Sequence, residues 1–286
     1  MQQGFFILTR KDYWLKMKLV TTYEDIVAFK NEYISPTVKK SKFPELNFYS
    51  HLFKVFTKAN LQTRKKLYDR FQWVSSSRDI MKGLEKVGVK FHISGMENFK
   101  SIDTPAVFIG NHMSVLETLV LPCIINPIKP VVFVTKKELT TMPLFGPINN
   151  ARHPIVVGRS NARDDLTLVM NQGADRIREG RSIILFPQKT RSKTLTPSEF
   201  NSLGTKLAKR NKVPVIPLAL LTDTWNNGKY VKDVGILDTS KTAYFAFGEP
   251  MEITGNGSEQ HQNVIDFISS NLIKWGRPEL IGKITS

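Results

Sequence analysis

After residue 100, short apolar runs are separated by longer apolar or amphipathic stretches. This pattern is typical of strands separated by helices. Short apolar runs rich in β-branched and aromatic residues predict buried strands. These runs lie at residues 106–110, 130–134, 154–157, 183–186, 213–218 and 243–247. Apolar or amphipathic stretches between them predict helices, at residues 116–125, 136–150, 166–177 and 264–272. This order predicts an α/β fold with a mostly parallel sheet covered by helices.

The sequence also marks one helix start. Residues 196–199 read Thr-Pro-Ser-Glu, in which Thr suits the N-cap, Pro the first helical position and Glu the third. We therefore expect a helix to begin at Thr196.

The first 100 residues differ from the rest in charge. They carry 19 Lys and Arg against 9 Asp and Glu, so +10 of the formal charge of +16 lies in this third of the chain. Between residues 46 and 90, apolar side chains recur at helical spacing among lysines and arginines. Such a stretch is either a membrane-surface element or a helix pair that packs on a domain and exposes its charges. We expect a basic, mainly helical N-terminal appendage at residues 1–100 and an α/β domain at residues 101–286.

The net charge of the whole chain indicates which classes of molecule it binds. With 41 Lys and Arg against 25 Asp and Glu among 286 residues, an anionic partner is indicated: nucleic acid, an anionic membrane or a phosphorylated substrate. No run reaches the ~18 apolar residues that cross a bilayer. If the protein meets a membrane, it is expected to lie on its surface.

Candidate chemistry begins at His112, where a predicted strand passes into a predicted helix. Ligands bind at the carboxyl ends of strands in open α/β sheets. An imidazole there, with Glu117 five residues further on, is suited to a general base and its orienting acid. The alternative is a capping box, because Ser114 and Glu117 also have the spacing of residues that hold a helix start.

Five blocks in fixed order surround this pair. They are Asn-His-Met-Ser-Val-Leu-Glu at 111–117, Lys-Lys-Glu-Leu at 136–139 with Pro-Leu-Phe-Gly at 143–146, Ile-Val-Val-Gly-Arg at 155–159, Phe-Pro-Gln-Lys-Thr-Arg-Ser at 186–192, and Val-Pro-Val-Ile-Pro at 213–217. Over residues 105–250 the sequence resembles the glycerolipid acyltransferases, typified by 1-acylglycerol-3-phosphate (lysophosphatidic acid) acyltransferase.

The resemblance implies transfer of a fatty acyl group from acyl-CoA or acyl carrier protein to a hydroxyl of a lysophospholipid, first of all 1-acylglycerol-3-phosphate. It implies that His112 is the base and Glu117 its orienting acid. It also implies a set of residues that hold the phosphorylated acceptor, for which Arg is suited by its planar fork. These are Lys137 (or its neighbour Lys136), Arg159, Gln188, Thr190 and Arg191.

The chain departs from the family pattern at three positions. Glu117 stands where Asp is usual, and Gln188 with Lys189 stands where Glu-Gly is usual. Gln can both accept and donate a hydrogen bond, whereas a carboxylate only accepts. We expect an altered acceptor site that still prefers anions. The alternative is that the pair at 188–189 is neutral variation in a loop.

Other functions are also permitted by the charge. A non-catalytic basic protein that binds anionic membrane or nucleic acid is the rival, although no nucleic-acid module is recognisable and we expect no nucleic-acid partner. A third possibility is a member of this family that binds lipid but does not catalyse acyl transfer. The remaining histidines lack metal-ligand spacing and no Gly-rich nucleotide loop is present. We expect no metal and no cofactor, and a peripheral location on the cytoplasmic face of a membrane.

Overall fold

A computed structural model describes residue 27 and residues 30–38, 40–158, 161–188, 190–229 and 231–282. Within these residues, eight strands form one sheet in the order β1-β2-β8-β7-β3-β6-β4-β5. Their bounds are β1 Glu32–Ile34, β2 Lys90–Ser94, β3 Val107–Gly110, β4 Val131–Lys136, β5 Ile155–Val157, β6 Ser182–Leu185, β7 Val215–Leu221 and β8 Thr242–Phe247.

The sheet is mixed. Strands β7, β3, β6, β4 and β5 run parallel to one another. The pair β8 and β2 is parallel but runs opposite to β7, and β1 is antiparallel to β2. These five neighbouring strands therefore end at the same edge of the sheet, and β1, at the far side, runs in the same direction.

Helices cover both faces of the sheet. Their bounds are α1 Pro44–Arg64, α2 Arg70–Lys86, α3 Met96–Lys100, α4 Leu116–Ile125, α5 Lys137–Thr141, α6 Phe145–Asn150, α7 Ala162–Arg178, α8 Leu203–Asn211 and α9 Ser258–Lys274. Helices α1 to α4 share a core with one face, and α7 to α9 share a second core with the other. In β3 the side chain of Phe108 joins the first core while Val107 and Ile109 join the second, as the alternation of a strand requires.

The α/β sheet covered by helices is confirmed, with the correction that the sheet is mixed. A sequence pattern shows that a run is a strand but not its direction, and β8 follows β7 without a crossover helix. A helical segment does begin after Thr196 as expected, but it is a 3-10 helix of only three residues, Pro197–Glu199, and it does not continue as an α-helix. Phe200 is then extended and buried, so α8 begins only at Leu203, where Asn201 Oδ1 accepts its N–H at 3.0 Å.

The region before residue 100 contains both long basic helices and two strands of the sheet. Helix α1 buries Phe48, Leu52, Val55 and Ala59 in the core of the first face, while Phe53 on its other side is exposed. The boundary at residue 100 stays a prediction. None of the helices in the described part of the chain is long and apolar enough to cross a membrane.

Candidate active site

The carboxyl ends of the parallel strands hold most of the predicted site. His112 follows β3, Lys137 follows β4 and Gln188 follows β6. Thr222, which the sequence blocks did not indicate, follows β7. Arg159 follows β5 in the sequence but lies outside the described residues. Since these strands are parallel, their ends meet at one edge of the sheet.

Glu117 is fully buried at the start of α4 and is the centre of a hydrogen-bond network. Its Oε1 accepts from His112 Nδ1 at 2.8 Å, from the Met113 N–H at 2.7 Å and from the Ser114 N–H at 2.9 Å. Its Oε2 accepts from the hydroxyls of Ser114 at 2.9 Å and Thr222 at 2.6 Å. From the sequence, Glu117 was expected either to orient the imidazole or to hold the start of the helix. In the structure its one carboxylate does both.

The network keeps this carboxylate ionised. Burial alone would raise the pKa of Glu117, but the hydrogen bond and charge of His112, followed by the bonds from Thr222 and the Ser114 backbone, hold the pKa below its ordinary value. A buried carboxylate with this many donors is stable as an anion. It therefore accepts from Nδ1–H and fixes the tautomer of His112.

The loop after β6 holds His112 from three sides. The Phe186 ring stacks on the imidazole with centroids 4.5 Å apart and planes at 8°. Gln188 Oε1 accepts the His112 N–H at 2.6 Å, and the Ser192 N–H donates to the His112 carbonyl at 2.8 Å. The sequence block at residues 186–192 thus holds His112, in the block at residues 111–117, in position. His112 keeps 18% of its side chain exposed, and its Nε2 makes no hydrogen bond to the described residues.

The predicted acceptor-binding residues differ in their surroundings. Arg191 lies beside the carboxylate of Asp233, with Nη2 and Oδ1 2.6 Å apart, and Thr190 Oγ1 accepts from Lys232 Nζ at 3.0 Å. Gln188 is buried, and its amide nitrogen donates to the Thr194 carbonyl at 3.3 Å. The backbone bond of Ser192 to His112 holds the segment that carries Thr190 and Arg191 against the backbone of His112.

Lys137 is the predicted site residue with the weakest structural connection. It is exposed in the first turn of α5, and its side chain makes no hydrogen bond or ion pair with the described residues. Its place after β4 puts it at the same edge of the sheet as His112. Its role, like that of Arg159, stays a prediction.

Three contacts at the site were missed by the sequence blocks. Thr222 bonds to Glu117, Phe186 stacks on His112, and Asp233 pairs with Arg191. A polar residue directly after the apolar run of β7 was the signal available for Thr222, by the same logic that selected His112. Among the described residues, no group of His, Cys, Asp and Glu is arranged to hold a metal ion.

Comparison with known proteins shows which family this chain resembles. The family described as Acyltransferase matches residues 90–221. A 1-acyl-sn-glycerol-3-phosphate acyltransferase of Pseudomonas aeruginosa is 29% identical over 170 residues, which cover 59% of this chain and 62% of that one. The chloroplastic enzyme of the same name from Arabidopsis thaliana is 28% identical over 132 residues, covering 46% of this chain and 36% of the relative. The match thus spans less than two thirds of the length of these relatives.

The fold agrees with this comparison. The crystal structure of the 1-acyl-sn-glycerophosphate acyltransferase of Thermotoga maritima superimposes with a TM-score of 0.59 at 16% identity, covering 82% of this chain and 95% of that chain. Residues 90–221 thus match the acyltransferase family, and the chain is similar in sequence to 1-acylglycerol-3-phosphate acyltransferases.

Proposed function

We propose that the protein transfers a fatty acyl group from a thioester donor, acyl-CoA or acyl carrier protein, to a hydroxyl of a lysophospholipid, with 1-acylglycerol-3-phosphate as the first candidate. One observation carries the proposal: a buried carboxylate holds an imidazole by Nδ1 while Nε2 is without a hydrogen bond to the described residues. The names of the relatives support the same reaction class.

In the proposed reaction His112 Nε2 removes the proton of the acceptor hydroxyl as its oxygen attacks the thioester carbonyl. A C–O bond forms, the C–S bond breaks, and the imidazolium returns the proton to the leaving thiolate. Glu117 stabilises the imidazolium without taking its proton. Ser114 is buried and bonded to Glu117, which supports direct attack by the acceptor rather than an acyl-serine intermediate.

Recognition of the acceptor phosphate is proposed for Arg191, Thr190, Arg159 and Lys137. Arg191 precedes Ser192, whose N–H bonds to the His112 carbonyl, and its fork suits two phosphate oxygens. The proximity supports a role in which the phosphate sets the acceptor hydroxyl within reach of Nε2. Gln188 contributes either by contacting the acceptor, as the family pattern implies, or by holding the backbone of His112.

We also propose peripheral attachment to the cytoplasmic face of an anionic membrane through residues 46–90. Helix α1 exposes Phe53 and Leu61, and Leu67 follows its end. They line a shallow groove with Lys54 and Lys58. Apolar side chains bordered by lysines suit a surface of anionic lipid.

The test uses purified protein, labelled acyl-CoA or acyl carrier protein, and lysophosphatidate. Released thiol and labelled phosphatidate should appear together in equal amounts. Glycerol-3-phosphate and other lysolipids complete the acceptor panel. Tight lipid binding with no thiol released from either donor would favour the non-catalytic lipid-binding function.

A further inference from the structure

A short hairpin follows β7 and contacts the loop after β6, which carries part of the candidate site. Its described residues are 225–229 and 231–237, closed by an antiparallel bridge between Trp225 and Leu237, both of which are buried. The Asn226 N–H donates to the Ile236 carbonyl at 3.1 Å. A Cβ on Gly235 would come within 1.7 Å of the Asn226 oxygen, so the two arms touch through their backbones. The base of the hairpin is therefore fixed.

One side of the hairpin contacts the loop after β6. Asp233 pairs with Arg191 at 2.6 Å, Lys232 donates to Thr190 at 3.0 Å, and Lys193 donates to Asn226 at 3.1 Å. Arg191 is only 15% exposed. The Asp233 carboxylate therefore pairs with one nitrogen, Nη2, of the guanidinium to which the proposed function assigns an acceptor phosphate.

The other side of the hairpin is apolar and exposed. Val231, Val234 and Ile236 each have more than half of their side chain in solvent. The hairpin also joins α1, because Tyr49 donates to the Gly235 carbonyl at 2.6 Å and Glu45 accepts the Leu237 N–H at 3.1 Å. Two exposed apolar residues, Phe43 and Leu46, flank these contacts. Exposed apolar residues therefore occur on both of the elements that these hydrogen bonds join.

We propose that the 225–237 hairpin is a lid that contacts an anionic lipid surface and releases Arg191 when it does so. Aliphatic tip residues beside Lys232 match the apolar and anionic layers of such a surface. A lipid phosphate and the Asp233 carboxylate compete for one guanidinium, and the phosphate presents more charge and more oxygens. Release of Arg191 rests on the proposed function, whereas surface contact does not.

Surface contact is tested with an environment-sensitive fluorophore on Val231→Cys and, as a control, on Ile273→Cys. Both side chains are 56% exposed, but Ile273 lies on α9 at the opposite face of the sheet. The native Cys123 is buried and its pKa is raised to about 12 by burial, so it does not compete for the label. With phosphatidylglycerol-containing vesicles, the label at 231 should shift to the blue and be quenched by brominated lipid. No shift at 231, or equal shifts at both positions, would overturn the proposal.

Release of Arg191 is tested with Asp233→Asn and a water-soluble phosphorylated acceptor. The native protein should gain activity when vesicles of a non-substrate anionic lipid are added. Asp233→Asn should show a roughly two- to five-fold lower KM without vesicles, in line with the loss of one partly exposed ion pair, and little further gain with them. An unchanged vesicle dependence would overturn the lid. If no acceptor is turned over at all, the proposed function fails while the labelling result stands.

Discussion

At the scale of single residues, two roles for Gln188 predict different kinetics. Its carbonyl accepts from the His112 N–H and its amide donates to Thr194, which supports a positioning role. Gln188→Leu should then lower kcat roughly tenfold, equal to ~1.4 kcal/mol, with KM for the acceptor nearly unchanged. A raised acceptor KM at constant kcat would instead support substrate contact.

Thr222 offers a prediction with an internal control. Its hydroxyl donates to Glu117 at 2.6 Å, whereas the hydroxyl of Thr224, equally buried, has no hydrogen-bond partner in the described structure. Thr222→Val should therefore cost about 1–3 kcal/mol of unfolding free energy, and Thr224→Val almost nothing. Chemical denaturation measures both variants, and equal losses would contradict the assignment.

The same variant should change the response to acid. Because the folded pKa of Glu117 is lowered, its ionised form stabilises the fold above the ordinary value near ~4.3. That contribution is lost as pH falls through the lowered folded pKa. Thr222→Val removes one cause of the lowering, so acid should remove less stability from this variant than from the native protein, and the loss should be complete at a higher pH.

At the scale of elements, Ser77 connects α2 to the helix that follows His112. Its hydroxyl donates to the Leu119 carbonyl at 2.6 Å and accepts the Cys123 N–H at 3.0 Å, in the stretch of α4 that contains Pro122. Ser77→Ala should remove these bonds between the two helices and cost about 1 kcal/mol of unfolding free energy. Ser75→Ala, whose hydroxyl bonds to no described residue, is the matched control for the thermal melts.

Local sequence patterns predicted the strands and helices better than they predicted how the strands pair in the sheet. The runs at 106–110 and 183–186 are strands because apolar β-branched residues alternate between two cores. The antiparallel placement of β8 and the use of Lys90–Ser94 as a strand depend on partners far away in sequence. At the site, His112 with Glu117 was predictable from spacing. The contacts of Thr222 and Asp233 required the fold, since each joins segments more than 40 residues apart.

At the scale of the whole molecule, the charge of +16 predicts salt-sensitive membrane attachment. Attraction to anionic lipid is screened beyond about 8 Å at physiological salt, while exposed Phe53 and Leu61 supply a salt-resistant part. Flotation should show stronger binding to anionic than to neutral vesicles, with the difference lost at high salt. The double variant Phe53→Ser, Leu61→Ser should weaken binding to both kinds of vesicle. The control Leu166→Ser, on the opposite face of the sheet, should weaken binding to neither. Equal binding to both vesicles at every salt concentration would remove the electrostatic part.

The most direct test of His112 as the general base is the acyl-transfer rate of the His112→Ala variant, measured together with its melting temperature. Loss of the general base should lower the rate roughly 10²–10⁴-fold, with the fold retained, because Glu117 keeps its bonds to Met113, Ser114 and Thr222. Glu117→Gln should lose less activity, since an amide oxygen can still accept from Nδ1–H. A His112→Ala protein that transfers acyl groups at the native rate, with the native melting temperature, would contradict the central claim.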